Sequence, residues 1–272
     1  MRARPQARGA GRRGDVRKPG ADVRERFSRP GVASRYTAGS AWHAGRAPLA
    51  EVVAFCEPRD GDRVLDVATG AGNTALALAP RVRFAIGLDL TPAMLGEARR
   101  QAAGQAARNV AWVLGEAAQL PFPDRAFDLY TVRAAPHHFA DLGVAAGEAL
   151  RVLVPGGRGV FIDCSPPQPA RDLLHDVEAG RDPSHVLSHT LDDWTATLVG
   201  AGFRVEAADR REREWDFEDW MDRQGVPSAR RRALAVVIET STGAARDQLR
   251  PRRTDGRLKF QYWHAFIRAV RP

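Results

Sequence analysis

Short apolar runs alternate with stretches of helical periodicity along this chain, and that alternation narrows its folds more than any other feature. Apolar runs of about five residues suit strands buried on both faces. Strands separated by helices imply βαβ units and a parallel sheet. Residues 63–67, 84–88, 110–114, 127–132 and 159–163 read as the first five strands, 203–206 as a sixth and 260–267 as a long last one. Helical patterns fall between them. Leu49, Val52, Val53 and Cys56 share one face of a short helix before the first strand. Thr91 and Pro92 start a helix reaching about Ala103. Another runs from about Asp141 to Leu153 and stops at Pro155-Gly156-Gly157. Further helices are expected over 190–200 and 215–249, with a polar insertion over 165–193.

With 272 residues, the chain can form one α/β domain with a lid. No apolar run reaches the roughly 18 residues of a membrane span, and the N-terminus lacks a secretory apolar segment. Cys56 and Cys164 are far apart and outside any metal-ligand spacing, so they read as small core residues of a cytoplasmic protein, with no metal expected. The net charge of +8 is concentrated. Residues 1–30 hold ten Lys/Arg against three Asp/Glu, while the remainder holds 31 against 30. Residues 1–26 therefore read as a disordered basic leader: an arm, an organellar-type extension or a start set too far upstream. The domain is expected over 27–272, with helical lid or insertion segments at about 165–190 and 210–250.

The loop from Asp66 to Asn73 joins the first strand to a helix. Gly70 and Gly72 let its backbone turn tightly and approach a ligand. Gly70-x-Gly72-x-x-Ala75 also fits a dinucleotide fingerprint, so the glycines alone leave the cofactor open. Charge separates the readings. A dinucleotide brings a pyrophosphate; S-adenosylmethionine brings a sulfonium and an ammonium. Asp66, Asp89 and Glu116 stand at three successive strand ends and favour a cation.

The motifs as a set resemble class I S-adenosylmethionine-dependent methyltransferases. They are residues 64–73, 87–95, 115–122 with Phe127-Asp128, and 150–157. The closest likeness is to the ubiquinone/menaquinone-biosynthesis type, with a methyltransferase type 11 domain. The resemblance covers about residues 30–206. It implies an α/β, Rossmann-like seven-stranded sheet, mostly parallel with an antiparallel C-terminal strand and helices on both faces. It also implies S-adenosylmethionine as cofactor and C- or O-methylation of a small molecule. By the same resemblance Asp66, Thr69, Gly70 and Gly72 cradle the methionine part, and Asp89 takes the ribose hydroxyls. Leu90 and Met94 then lie against the adenine, with Glu116 and Ala117 at its edge. Ala68 replaces a common motif glycine, and Glu116 a commoner Asp.

Arg133 follows the fourth strand and is placed to meet the cofactor carboxylate. His137 and His138 are the candidate general bases, against a loop-ordering role. Tyr36 and His43 are candidates for a segment folding over the cofactor. His185 and His189, with His175 upstream, are weighed as a metal pair on one helix face, without matching acids or thiols. Trp194, Trp215, Phe217, Trp220 and Trp263 either line an apolar acceptor pocket or form core. Asp163 either faces the acceptor or caps a turn. Three other readings stay open: an NAD(P)-dependent oxidoreductase, a non-catalytic cofactor-binding protein, and an RNA or protein methyltransferase. The near-neutral folded region argues against a nucleic-acid partner, with the clusters at Arg230–Arg232 and Arg250–Arg253 as counter-signals.

Overall fold

The computed structural model describes residues 19–29, 31–32 and 45–272. Tyr36, His43 and most of the basic leader lie outside the described residues. The strands are β1 (Arg63–Val67), β2 (Phe84–Asp89), β3 (Val110–Leu114), β4 (Phe127–Arg133), β5 (Leu153–Cys164), β6 (Arg204–Asp216), β7 (Arg252–Thr254) and β8 (Arg257–Val270). They form one sheet in the order β3-β2-β1-β4-β5-β8-β6, with short β7 paired to β8. Neighbours from β3 to β5 run parallel, and β8 runs antiparallel to β5, β6 and β7. The expected architecture is present, with β7 added.

Helices α1 (Pro19–Phe27) and α2 (Arg46–Cys56) precede β1. Helix α3 (Asn73–Leu78) follows β1, α4 (Pro92–Gly104) follows β2 and α5 (Leu142–Val152) follows β4. After β5 come α6 (Arg171–Arg181) and α7 (Leu191–Gly200). Between β6 and β7 lie α8 (Phe217–Gln224), α9 (Ser228–Glu239) and α10 (Gly243–Leu249).

The alternation of side chains along each strand divides them between two cores. Val64, Leu129, Val160 and Ile162 pack on α2 and α3 through Val52, Val53, Cys56, Ala75 and Leu78. Leu65, Val67, Tyr130, Val132 and Phe161 pack on α5 and α7 through Ala146, Ala149, Trp194 and Leu198. A third core lies under the far ends of β6 and β8, where Phe217, Trp220 and Met221 meet Leu174, Val177, Phe260 and Tyr262.

Two departures from the sequence reading bear on the site. Residues 19–27 are helical within a stretch expected to be a structureless leader. Val23 and Phe27 are four apart and face the fold together, giving that one turn the apolar contact the rest of the leader lacks. The sixth strand, expected over four residues, runs to Asp216. Its outer part alternates Arg and Glu, so ion pairs replace the missing apolar period: Glu212 with Arg250 just after α10, Glu214 with Arg252 on β7 and Asp216 with Arg257 on the neighbouring β8.

Candidate active site

The strand order reverses between β1 and β4, so the loops leaving their carboxyl ends diverge and open a crevice. A cavity of about 300 Å3 occupies it. Asp66, Ala68, Thr69, Gly70, Asp89, Leu90, Met94, Glu116, Ala117 and Arg133 all border this one space. Parts of the sequence as far apart as the first and fourth strands therefore converge on one space.

Within the cavity the two buried acids do different work. Asp66 is tied on both oxygens: Thr69 Oγ1 donates at 2.6 Å, Thr131 Oγ1 at 2.8 Å and the Ala75 N–H at 3.2 Å. Its first task is to hold the glycine loop against β4 and α3. Asp89 accepts the Gly70 N–H at 2.8 Å and the Thr91 N–H at 2.9 Å, joining the first loop to the start of α4. Burial pushes both carboxyls above the usual carboxylate range, against these hydrogen bonds. Glu116 stands exposed at the rim. Arg133 lies beneath the loop and donates from Nε to Thr74 Oγ1 at 3.1 Å, with burial lowering its pKa to about 10. Four carboxylates, counting Asp141 at the mouth, thus face one guanidinium. That balance suits a ligand carrying cationic groups and one carboxylate, and repels a pyrophosphate.

The two loop glycines also part company. A Cβ built on Gly70 meets nothing within 4 Å, so that position opens on the cavity. A Cβ on Gly72 would lie 2.4 Å from the Trp112 ring, and Gly72 does not border the cavity. The β3 indole packs over Gly72, which is why that position has no room for a side chain. Ala68 holds a left-handed φ of 52°, the conformation that favours glycine at this position.

His138 borders the cavity and His137 does not. The His137 backbone N–H and ring Nδ1 both meet Asp163, at 2.6 and 2.7 Å. Burial works against the His137 charge, but the Asp163 carboxylate overrides it and raises the pKa well above the ordinary histidine value. Asp163 is accordingly a partner of His137. Cys164 stands beside the pair, but 2.7 Å is a hydrogen-bond length. Two zinc ligands, each about 2.0–2.1 Å from the ion, would stand roughly 3.3 Å apart. His138 Nδ1 lies 2.9 Å from the Ser184 carbonyl, and burial, then the charge on His137, brings its pKa down to about 4.

Several candidates lie elsewhere. His185 and His189 are not on a helix, and His185 bonds Ser188. Trp194, Phe217, Trp220 and Trp263 are core residues and, like Trp215, do not border the cavity. The apolar side chains that do border the cavity include Val23, Phe27, Phe139 and Val144. The Val23/Phe27 spacing was the available signal, hidden in an Arg-rich stretch. In the two arginine clusters, Arg231 pairs with Glu218 and Asp222, Arg250 with Glu212, Arg252 with Glu214 and Arg253 with Glu239. No helix among the described residues is long and apolar enough to cross a membrane.

Residues 64–157 match a family model described as a methyltransferase domain. The chain is 34% identical over 201 residues to the uncharacterized methyltransferase YcgJ of Bacillus subtilis, covering 73% of this chain and 79% of that protein. The YcgJ crystal structure superposes with a TM-score of 0.77 at 31% identity, over 82% of this chain and 97% of that one. A putative methyltransferase from Bacillus halodurans gives a TM-score of 0.79 at 33% identity, over 83% and 99%. The ubiquinone/menaquinone biosynthesis C-methyltransferase UbiE of Paracoccus denitrificans is 40% identical over 158 residues, 55% of this chain and 62% of that protein.

Proposed function

This chain belongs to the methyltransferase family, and from that premise we propose that its cavity binds S-adenosylmethionine and that it methylates a small-molecule acceptor. The observation that carries the reading is the open Cβ direction of Gly70, whose N–H is already anchored to Asp89. A ligand can lie against the bare backbone there while its ribose hydroxyls meet the Asp89 carboxylate. Thr69 and Gly70 would hold the methionine part, Asp66 its ammonium and Arg133 its carboxylate. Leu90 and Met94 would flank the adenine, with Ala117 and Glu116 at its edge. The cofactor, when bound, supplies a methyl group already activated on a sulfonium.

What remains for the protein is to align the acceptor, exclude water and move one proton. The wall of Val23, Phe27, Phe139 and Val144 favours an apolar or aromatic acceptor. His138 is the proton acceptor of this reading by position: it borders the cavity with Nδ1 held at the Ser184 carbonyl. Although burial and His137 make its neutral ring a weak base, it can take the proton once methyl transfer has left the acceptor cationic and strongly acidic. It can take a proton from an acceptor hydroxyl or from the carbon that receives the methyl. The UbiE relative is named as a C-methyltransferase, which makes carbon the first acceptor atom to test.

Calorimetry with S-adenosylhomocysteine tests the cofactor. Saturable binding is expected, weakened about 10- to 100-fold in Asp89→Ala, as for the loss of one or two charge-assisted hydrogen bonds. Absence of binding to the parent chain would overturn the reading. Incubating small-molecule extracts with deuteromethyl-labelled cofactor, followed by mass spectrometry, would then identify the acceptor.

A further inference from the structure

Behind His138, away from the cavity, a chain of buried polar groups leads to the N-terminal helix. Asp182 follows α6 and is 2% exposed. It accepts the Ser184 N–H at 2.9 Å, the Ser184 hydroxyl at 2.6 Å and the Gln224 side-chain amide at 2.8 Å. Arg26 of α1 forms an ion pair with it at 3.0 Å and also bonds Gln224. One turn of α1 thus supplies both Arg26 to Asp182 and Phe27, whose ring meets His138 edge-on at 5.7 Å.

We propose that Asp182 and Arg26 are positioning residues for His138, fixing through Ser184 the ring tautomer that leaves Nε2 bare for the proton. The inference rests on the role given to His138 above. An ionised carboxylate has no hydrogen to give, so the Ser184 hydroxyl must point its hydrogen at Asp182. The lone pairs of Ser184 Oγ are then what His138 Nδ1 meets at 3.3 Å, beside the Ser184 carbonyl at 2.9 Å. Two acceptors facing Nδ1 require it to carry the hydrogen. The neutral ring must leave Nε2 unprotonated.

In water a neutral histidine favours the opposite tautomer, with the hydrogen on Nε2. The Nδ1–H form is therefore imposed by the surroundings and reports on them. Asp182 is held at about 2, against burial, by the neighbouring His138 ring, Arg26 and the Ser184 hydroxyl. The other charged neighbour of the ring is His137 with its Asp163 counter-charge; His137 packs on His138 with ring centres 4.1 Å apart. That pair does not touch Nδ1. The Ser184 carbonyl by itself calls for Nδ1–H; Asp182, by accepting both the Ser184 N–H and its hydroxyl hydrogen, holds that carbonyl and the Oγ lone pairs against Nδ1, and Arg26 ties Asp182 to α1.

The test is a two-bond proton–nitrogen correlation spectrum of the full chain labelled with 15N-histidine, with His138 assigned from His138→Gln. The parent is expected to show the Nδ1–H tautomer. Arg26→Ala and Asp182→Asn are expected to shift His138 toward Nε2–H, and Arg26→Lys to keep the parent pattern. An Nε2–H or doubly protonated His138 in the parent would overturn the proposal. So would parent-like spectra from both Arg26→Ala and Asp182→Asn. Spectra taken without ligand keep this test separate from the cofactor test. An Nδ1–H ring that responds to both variants in a chain binding no S-adenosylhomocysteine would sink the cofactor reading and leave this one standing.

Discussion

The glycine loop shows how one residue type answers two different demands only two residues, at most about 7 Å of chain, apart. Gly70 faces open space, so Gly70→Ala adds only the left-handed strain of about 1–2 kcal/mol to folding while pushing a methyl toward the ligand. It is expected to weaken S-adenosylhomocysteine binding at least about tenfold, by calorimetry. Gly72→Ala should do the reverse. Its Cβ would collide with Trp112, so overpacking of about 1–3 kcal/mol adds to the strain. Urea unfolding should report that loss, and Trp112→Leu in the same chain should recover part of it. The sequence announced that both positions need glycine. It did not announce why, because the indole that crowds Gly72 lies 40 residues away on β3.

At the scale of the element, helix ends were legible because their chemistry is local. Thr190 Oγ1 accepts the Asp193 N–H at 3.2 Å, and Asp193 returns the bond to the Thr190 N–H at 2.9 Å, closing a capping box at the start of α7. Thr190→Ala should cost about 1 kcal/mol in urea unfolding, the usual worth of such a cap. The helix it starts buries Trp194 and Leu198 completely against the sheet. Strand β6 was legible only over its apolar start, since beyond it the residues that pair are Arg and Glu. Helix α1 left only the Val23/Phe27 spacing as a signal. Its two apolar residues form no face until the cavity mouth and Asp182 are there to receive them.

Across the whole molecule, stability is coupled to pH through buried histidines. Burial brings His138 to about 4, and His185 and His264 to about 3. In the unfolded chain each titrates near 6.5. As pH falls below about 6.5 the unfolded state binds protons first, so stability drops until the folded pKa values near 3–4 are reached. Each group contributes up to about 1.4 kcal/mol per pH unit in that window. His137 has the opposite sign: its raised pKa gives stability that is complete below about 6.5 and is lost as pH rises through the folded value. It therefore adds no slope below about 6.5, and between there and pH 7.5 it takes away at most about 1.4 kcal/mol, less than the three depressed histidines together gain over the same comparison. Asp66 and Asp89, whose pKa values are raised by burial, gain stability on acidification only where they titrate. The urea midpoint at pH 5.5 is expected to lie below that at pH 7.5, and His185→Gln should flatten the difference.

The sheet, the glycine turn and the convergence of Asp66, Asp89, Glu116 and Arg133 on one cavity were determined by the sequence itself. Strand period, turn residues and strand-end acids are short-range signals, and a parallel sheet brings successive strand ends to one edge. Which histidine faces that cavity was decided only by the tertiary structure. His137 and His138 are adjacent and chemically identical, and the choice between them rests on Asp163 and Ser184. Those two partners arrive from 26 and 46 residues farther along the chain, a separation that no local pattern encodes.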